Sequence, residues 1–271
     1  MIEAVNKLIC EMCDILCGYE FSVCLYGSAV LDDFRPGWSD IDILVLTDRR
    51  LSEAVADRLV GLRGELSRLE PANQYYRRVE GGILSLDAFM NKQVDRVVYW
   101  GTSGERICDR YSLDSFCRTE LIENGLLLYG REIRDRLQKP TFNELYADVT
   151  RHYNTIRKYA RTTGRGIYSF GWLFDIARCI YTLRYGCVIA KTAAAEWALE
   201  NSLCPDPDIL RFALEVRKNP LGHMNEQTFD KSERLGEPIQ RFADILGLEL
   251  TVHEMDRRLN NIYNFDLHYT D

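Results

Sequence analysis

LYGSAVLDDFRPGWSDIDILVLT, residues 25–47, places two short apolar runs on either side of a polar loop and opens the second with a pair of acids. Leu25-Tyr26 closes the first run and Gly27-Ser28 follows it, while Asp40 and Asp42 stand at the mouth of Ile43-Leu44-Val45-Leu46. An ionised carboxylate beside a core is costly unless positive charge meets it. In an extended chain, side chains two apart share a face. Asp40, Asp42, Leu44 and Leu46 are therefore expected on one face of a strand, with Ile41, Ile43 and Val45 on the other.

Two carboxylates that point together repel. A divalent cation such as Mg2+ turns that repulsion into coordination, because it favours oxygen ligands and keeps waters and phosphates as partners. The other reading of the same residues is a pair of acids capping the turn at Gly37-Trp38-Ser39. Upstream, FSVCLYG (21–27) reads as a strand that runs into Gly27-Ser28. Glycine allows a tight turn there. The backbone N–H groups of such a turn, with the Ser28 hydroxyl, suit phosphate oxygens. Ala29-Val30-Leu31 is expected to begin a short helix.

Downstream, 51–69 reads as a helix rich in Leu, Ala, Glu and Arg, and ILSLDAFM (83–90) as a third strand after a polar approach from Asn73 to Glu80. On that strand Asp87 lies opposite the apolar face of Leu84, Leu86, Ala88 and Met90. Three readings of Asp87 stand side by side: a proton acceptor for an attacking hydroxyl, a third metal ligand, or a solvated edge residue. Strands interleaved with helices predict an α/β (α+β) domain over residues 1–140 with a small mixed sheet. From Thr141 apolar residues recur at three and four positions through 143–160, 172–185, 193–200, 208–217 and 235–262. That spacing predicts an all-α bundle over 141–271, with the break near Lys139-Pro140. A ligand cleft between the two halves is the matching expectation.

Composition bounds the function. The chain of 271 residues is 46% hydrophobic and 28% charged, which fits a globular protein with a substantial core. A net charge of −7 argues against a nucleic-acid partner bound by bulk electrostatics and suits a cationic small molecule. No membrane span and no signal peptide are legible, so a cytoplasmic location is expected. Nine cysteines are an odd number, and Cys10, Cys13 and Cys17 read as small apolar residues of an N-terminal amphipathic helix. The four histidines, 152, 223, 253 and 268, show no ligand spacing.

LYGSAV…WSDIDILVL resembles the signature of the nucleotidyltransferase superfamily related to DNA polymerase beta, with Ser39 directly before the acids. RCIYTLRYGCVIAKTAAAEWALEN (178–201) is similar to the helical domain of streptomycin/spectinomycin-type aminoglycoside adenylyltransferases. The resemblance implies Mg2+ on Asp40, Asp42 and Asp87, with ATP as co-substrate held by Gly27, Ser28, Ser39, Arg178 and Lys191. It also implies a catalytic carboxylate on the third strand, which matches Asp87, and transfer of AMP to a hydroxyl of a small, cationic aminocyclitol or aminoglycoside. Domains of this type also resemble the regulatory modules of toxin–antitoxin systems, which gives the alternative of a partner-binding role. Read from the residues alone, Asp175 and Arg178, three apart, make a helical ion pair, and Trp197 belongs to a helix core.

Overall fold

The computed structural model describes residues 1–102 and 104–266; His268 lies outside the described residues. Its contacts divide the chain into two compact units, Met1–Phe34 with Ser39–Pro140, and Arg35–Trp38 with Thr141–Asp271.

The first unit begins with α1 (Ile2–Ile15), β1 (Phe21–Tyr26), a 3-10 turn at Gly27–Ala29 in place of the expected short helix, β2 (Ile41–Thr47) and α2 (Glu53–Leu69). It continues with β3 (Val79–Ser85), α3 (Leu86–Asn91), β4 (Val97–Gly101), β5 (Gly104–Cys108), α4 (Ser115–Asn124) and β6 (Leu126–Tyr129). The strands form one mixed sheet in the order β5-β4-β3-β2-β1-β6. Among the described residues only β2 and β3 pair in parallel; the other pairs are antiparallel.

Alternation along β2 sorts its residues as the sequence predicts. Ile41, Ile43 and Val45 enter a core built with Leu8 and Met12 of α1 and Leu59 and Leu62 of α2. Leu44 and Leu46 enter a second core with Cys24, Tyr26, Leu84 and Leu121, which is covered by α3 and α4. Asp42 is half-buried and shares the face of Leu44 and Leu46 by strand period. In α1, Cys13 is half-buried and Cys10 exposed, and Cys17, two residues past the end of the helix, is exposed as well rather than packed.

The third strand differs from the sequence expectation of 83–90. It runs over Val79–Ser85 and stops because Ser85 caps α3, its Oγ accepting from the Ala88 N–H at 3.3 Å. Asp87 therefore lies in the first turn of a helix, exposed, with its carboxylate accepting from Asn91 Nδ2 at 2.9 Å. Two glycines hid the true start of the strand. Gly81 has φ +152°, and a Cβ there would stand 1.8 Å from the Ile43 carbonyl oxygen. A Cβ at Gly82 would stand 2.6 Å from the Tyr111 ring.

Arg63 of α2 pins the start of β3. It is 5% exposed and donates to Val79 O at 2.7 Å, Gly101 O at 3.0 Å and Glu105 Oε1 at 2.7 Å. One buried side chain thus ties β3 to the β4–β5 hairpin.

The second unit contains α5 (Phe142–Tyr159), α6 (Gly171–Tyr185), α7 (Lys191–Glu200), α8 (Pro207–Lys218), α9 (Glu226–Glu233) and α10 (Gly236–Asp266). Thr141 and Glu144 form a capping box at α5, Gly186 ends α6 at φ +67°, and Pro207 opens α8 at a position where its missing N–H costs nothing. Phe170, Phe174, Ile180, Phe242 and Leu246 are fully buried. Among the described residues, no helix is long and apolar enough to cross a membrane.

Removing the Arg63 clamp strands two buried carbonyl acceptors, each worth about 1–3 kcal/mol. Arg63→Met is expected to lower the unfolding free energy by about 2–4 kcal/mol, read from the urea midpoint at constant slope.

Candidate active site

The Gly27 turn and the start of β2 are in direct contact. Tyr26 pairs with Asp42 across the antiparallel ladder, so the chain turns at Gly27 directly over the Asp42 carboxylate. Gly27 has φ +72°, and a Cβ there would fall 2.2 Å from Asp42 Oδ2. Only glycine lets the backbone approach this closely. Asp40, one residue before β2, lies 3.4 Å from Arg78 Nη1, with both side chains about 30% exposed (29% and 30%). Ser39 is buried and Ser28 half-buried beside them.

The parallel pairing of β2 with β3 brings in a residue that the sequence reading passed over. Asp42 is the register partner of Glu80. Paired residues of neighbouring strands sit about 4.8 Å apart, and Glu80, like Gly82 and Leu84, shares the sheet face of Asp42. Burial, and then the charge of Asp40, push the Glu80 carboxyl above its ordinary value, while hydrogen bonds from Thr102 and the charge of Arg63 oppose the rise. Burial, the neighbouring Tyr111 and the Asp42 charge push the Tyr26 phenol well up, so it stays protonated; its oxygen is 3.4 Å from that of Tyr111.

Asp87 does not join this group. It follows the far end of β3, where Ser85 pairs with Thr47. Ser85 lies five residue steps along the strand from Glu80, roughly 16 Å at about 3.3 Å each. There Asp87 lines a separate groove of about 820 Å³ with Asp48, Met90 and Tyr129. The assignment of Asp87 as base or metal ligand is corrected on this geometry: the third-strand acid beside the pair is Glu80. The signal for it was present in RRVEGGILS, where a strand begun at Val79 puts Glu80, Gly82 and Leu84 on one face.

The oxygen donors fit Mg2+. Asp40 and Asp42 offer two carboxylates at one strand end, and Mg2+ is commonly bound by one or two carboxylates with substrate phosphates and waters completing its shell. Among the described residues, no group of three or more His, Cys, Asp or Glu side chains is placed to hold a metal by itself.

In the second unit, Arg178 and Lys191 meet around one acid. Lys191 Nζ lies 2.8 Å from Asp175 Oδ1. Burial would raise the Asp175 carboxyl, but the charges of Lys191 and Arg178, the Lys191 hydrogen bond and His152 outweigh it and hold it below its ordinary value. This accounts for a lysine at the first position of α7, where the helix dipole disfavours a cation. Trp197 is half-buried, edge-on to Tyr181 and Tyr185 at 5.1 and 5.8 Å.

Residues 5–78 match the nucleotidyltransferase domain family. The match covers the Gly27 turn, both acids and Arg78, and ends two residues before Glu80. No curated protein sequence matches the chain. Among solved structures, the spectinomycin adenyltransferase of Enterococcus faecialis, crystallised with ATP and spectinomycin, shares the fold. It aligns with a TM-score of 0.65 and 15% identity over 91% of this chain and 99% of that one. The domain match covers about a quarter of the chain, and the solved structure shares its architecture.

The Asp175 carboxyl is held low when folded, so its contribution to stability is present at neutral pH and lost as pH falls through and below the usual aspartate range near about 4. Lys191→Met removes the nearest cation. The variant is expected to unfold at a lower temperature than wild type at pH 7, with the gap shrinking as the pH is lowered toward about 3.

Proposed function

We propose that the chain transfers AMP from ATP to a hydroxyl of a small cationic acceptor, of the aminocyclitol or aminoglycoside class, and releases pyrophosphate. The observation that carries this reading is the register that sets Glu80 beside Asp42 under the Gly27 turn. Asp40 and Asp42 would hold Mg2+, which would supply charge neutralisation at the phosphates. Gly27, Ser28 and Ser39 offer N–H and O–H donors to phosphate oxygens.

Glu80 accepts the proton of the acceptor hydroxyl as that oxygen attacks the α-phosphorus. The bond from the α-phosphorus to the bridging oxygen breaks, and its electron pair leaves with pyrophosphate. Most of the acceleration comes from orientation and charge placement, since phosphoryl-type transfer asks little covalent chemistry of the protein. The acceptor class is supported by the net charge of −7, which favours cationic ligands, and by the likeness to an enzyme named for spectinomycin.

Loss of a positioned base costs about 10²–10⁴ in rate. Pyrophosphate release, measured with ATP, Mg2+ and a panel of aminoglycosides and spectinomycin, is expected to fall at least a hundredfold, on the order of that base effect, in Asp42→Asn and Glu80→Gln with the circular dichroism unchanged. Asp87→Asn is expected to stay within about twofold of wild type, since it removes no group near the acids. An Asp87→Asn enzyme as slow as Glu80→Gln would contradict the assignment.

A further inference from the structure

Residues 35–38 belong by their contacts to the helical unit, although the residues on both sides of them, Gly27 to Phe34 and Ser39 to Thr47, belong to the sheet unit. The segment is a tight turn. Pro36 and Gly37 occupy its centre, Gly37 has φ +85°, and the Trp38 N–H donates to Arg35 O at 2.9 Å, the pattern of a type II turn. A Cβ on Gly37 would stand 2.7 Å from Leu221 Cδ2, and the Gly37 carbonyl accepts from the Tyr168 hydroxyl at 3.3 Å.

The turn delivers the Trp38 ring into an aromatic seat. The residue is 8% exposed, and its ring centroid lies 5.8 Å from Tyr168 and 5.9 Å edge-on from Phe174. The guanidinium of Arg217, a residue 2% exposed, stands 5.6 Å from the Trp38 ring and 5.5 Å from that of Phe174. Arg217 Nε also donates to Thr192 Oγ1 at 3.0 Å. Phe174 directly precedes Asp175, and Thr192 directly follows Lys191. The seat is thus built on the two helices that bring Arg178 and Lys191 together. Two residues beyond Trp38 along the chain stands Asp40.

We infer that Trp38 is a positioning residue: its seat holds the turn at residues 35–38, two residues before Asp40, and so orients the Asp40 carboxylate beside Asp42 for Mg2+. A tryptophan that merely filled the helical core would leave the acids' affinity for the cation untouched. The inference rests on the reading of Asp40 and Asp42 as the Mg2+ site.

The test is calorimetric titration of ATP into the full chain at stepped Mg2+ concentrations, for wild type, Trp38→Ala, Trp38→Phe and Phe212→Ala. Phe212 packs edge-on against Phe170 at 5.7 Å, so its loss opens the same unit away from the Trp38 ring. Trp38→Ala is expected to raise the Mg2+ concentration at half-maximal ATP binding by about tenfold or more, on the scale of a lost ring–cation seat. Trp38→Phe, which keeps an aromatic face, should stay within about threefold, and Phe212→Ala should lower the melting temperature while leaving the Mg2+ midpoint in place. If Trp38→Ala does not fold, Trp38→Leu takes its place in the same comparison. A folded Trp38 variant with an unchanged Mg2+ midpoint overturns the inference, as does an equal shift in Phe212→Ala. Wild-type protein that shows no Mg2+-dependent ATP binding sinks the reading of the acid pair, and the inference with it.

Discussion

The parallel pairing of β2 with β3 is the constraint on which the candidate site depends. It sets Asp42 opposite Glu80, and among the described residues no other strand pair is parallel. The pairing tolerates no slip, because a shift by one residue would carry Ile43 and Ile83 out of one core and Leu44 and Leu84 out of the other. Gly81 reinforces the register from within, its missing side chain leaving room for the Ile43 carbonyl. Arg63 holds the first residue of β3 from the opposite side of the pairing. The carboxylates therefore sit where core packing puts them, and their mutual repulsion is the cost of that placement.

The two units answer the problem of buried charge in opposite ways. In the sheet unit Asp40, Asp42 and Glu80 gather negative charge, with Arg78 at 3.4 Å from Asp40 and Arg63 acting on Glu80. In the helical unit a single carboxylate, Asp175, lies among Lys191, Arg178 and His152. Gathered carboxylates are complementary in charge to a divalent cation, and gathered cations to an anion.

Much of this was legible in the sequence, and the failures have a physical cause. The face assignment along β2 followed from a period of two, and the Gly27 turn from a glycine placed directly after an apolar run. The helices after Thr141 followed from apolar spacing, with α9 missed because Glu226–Glu233 is short and largely polar. The third strand was misplaced because Gly81 and Gly82 offer no apolar side chains, so the strand seemed to begin at Ile83. The same glycines are required by the Ile43 carbonyl and the Tyr111 ring. The β4–β5 hairpin left little trace because β5, an edge strand, exposes Glu105, Arg106 and Ile107. Neither the seat of Trp38 nor the clamp of Arg63 could be read from local pattern, since both join residues far apart in the chain.

The most direct measurement is a crystal structure of the protein with Mn2+ and a non-hydrolysable ATP analogue, with the metal located by its anomalous signal. The account predicts an anomalous peak bridging carboxylate oxygens of Asp40 and Asp42 at roughly 2.1–2.2 Å, close to the distances typical of Mg2+. It also predicts that the α-phosphorus faces Glu80. A metal bound at Asp87, or a nucleotide seated away from the Gly27 turn, would contradict it.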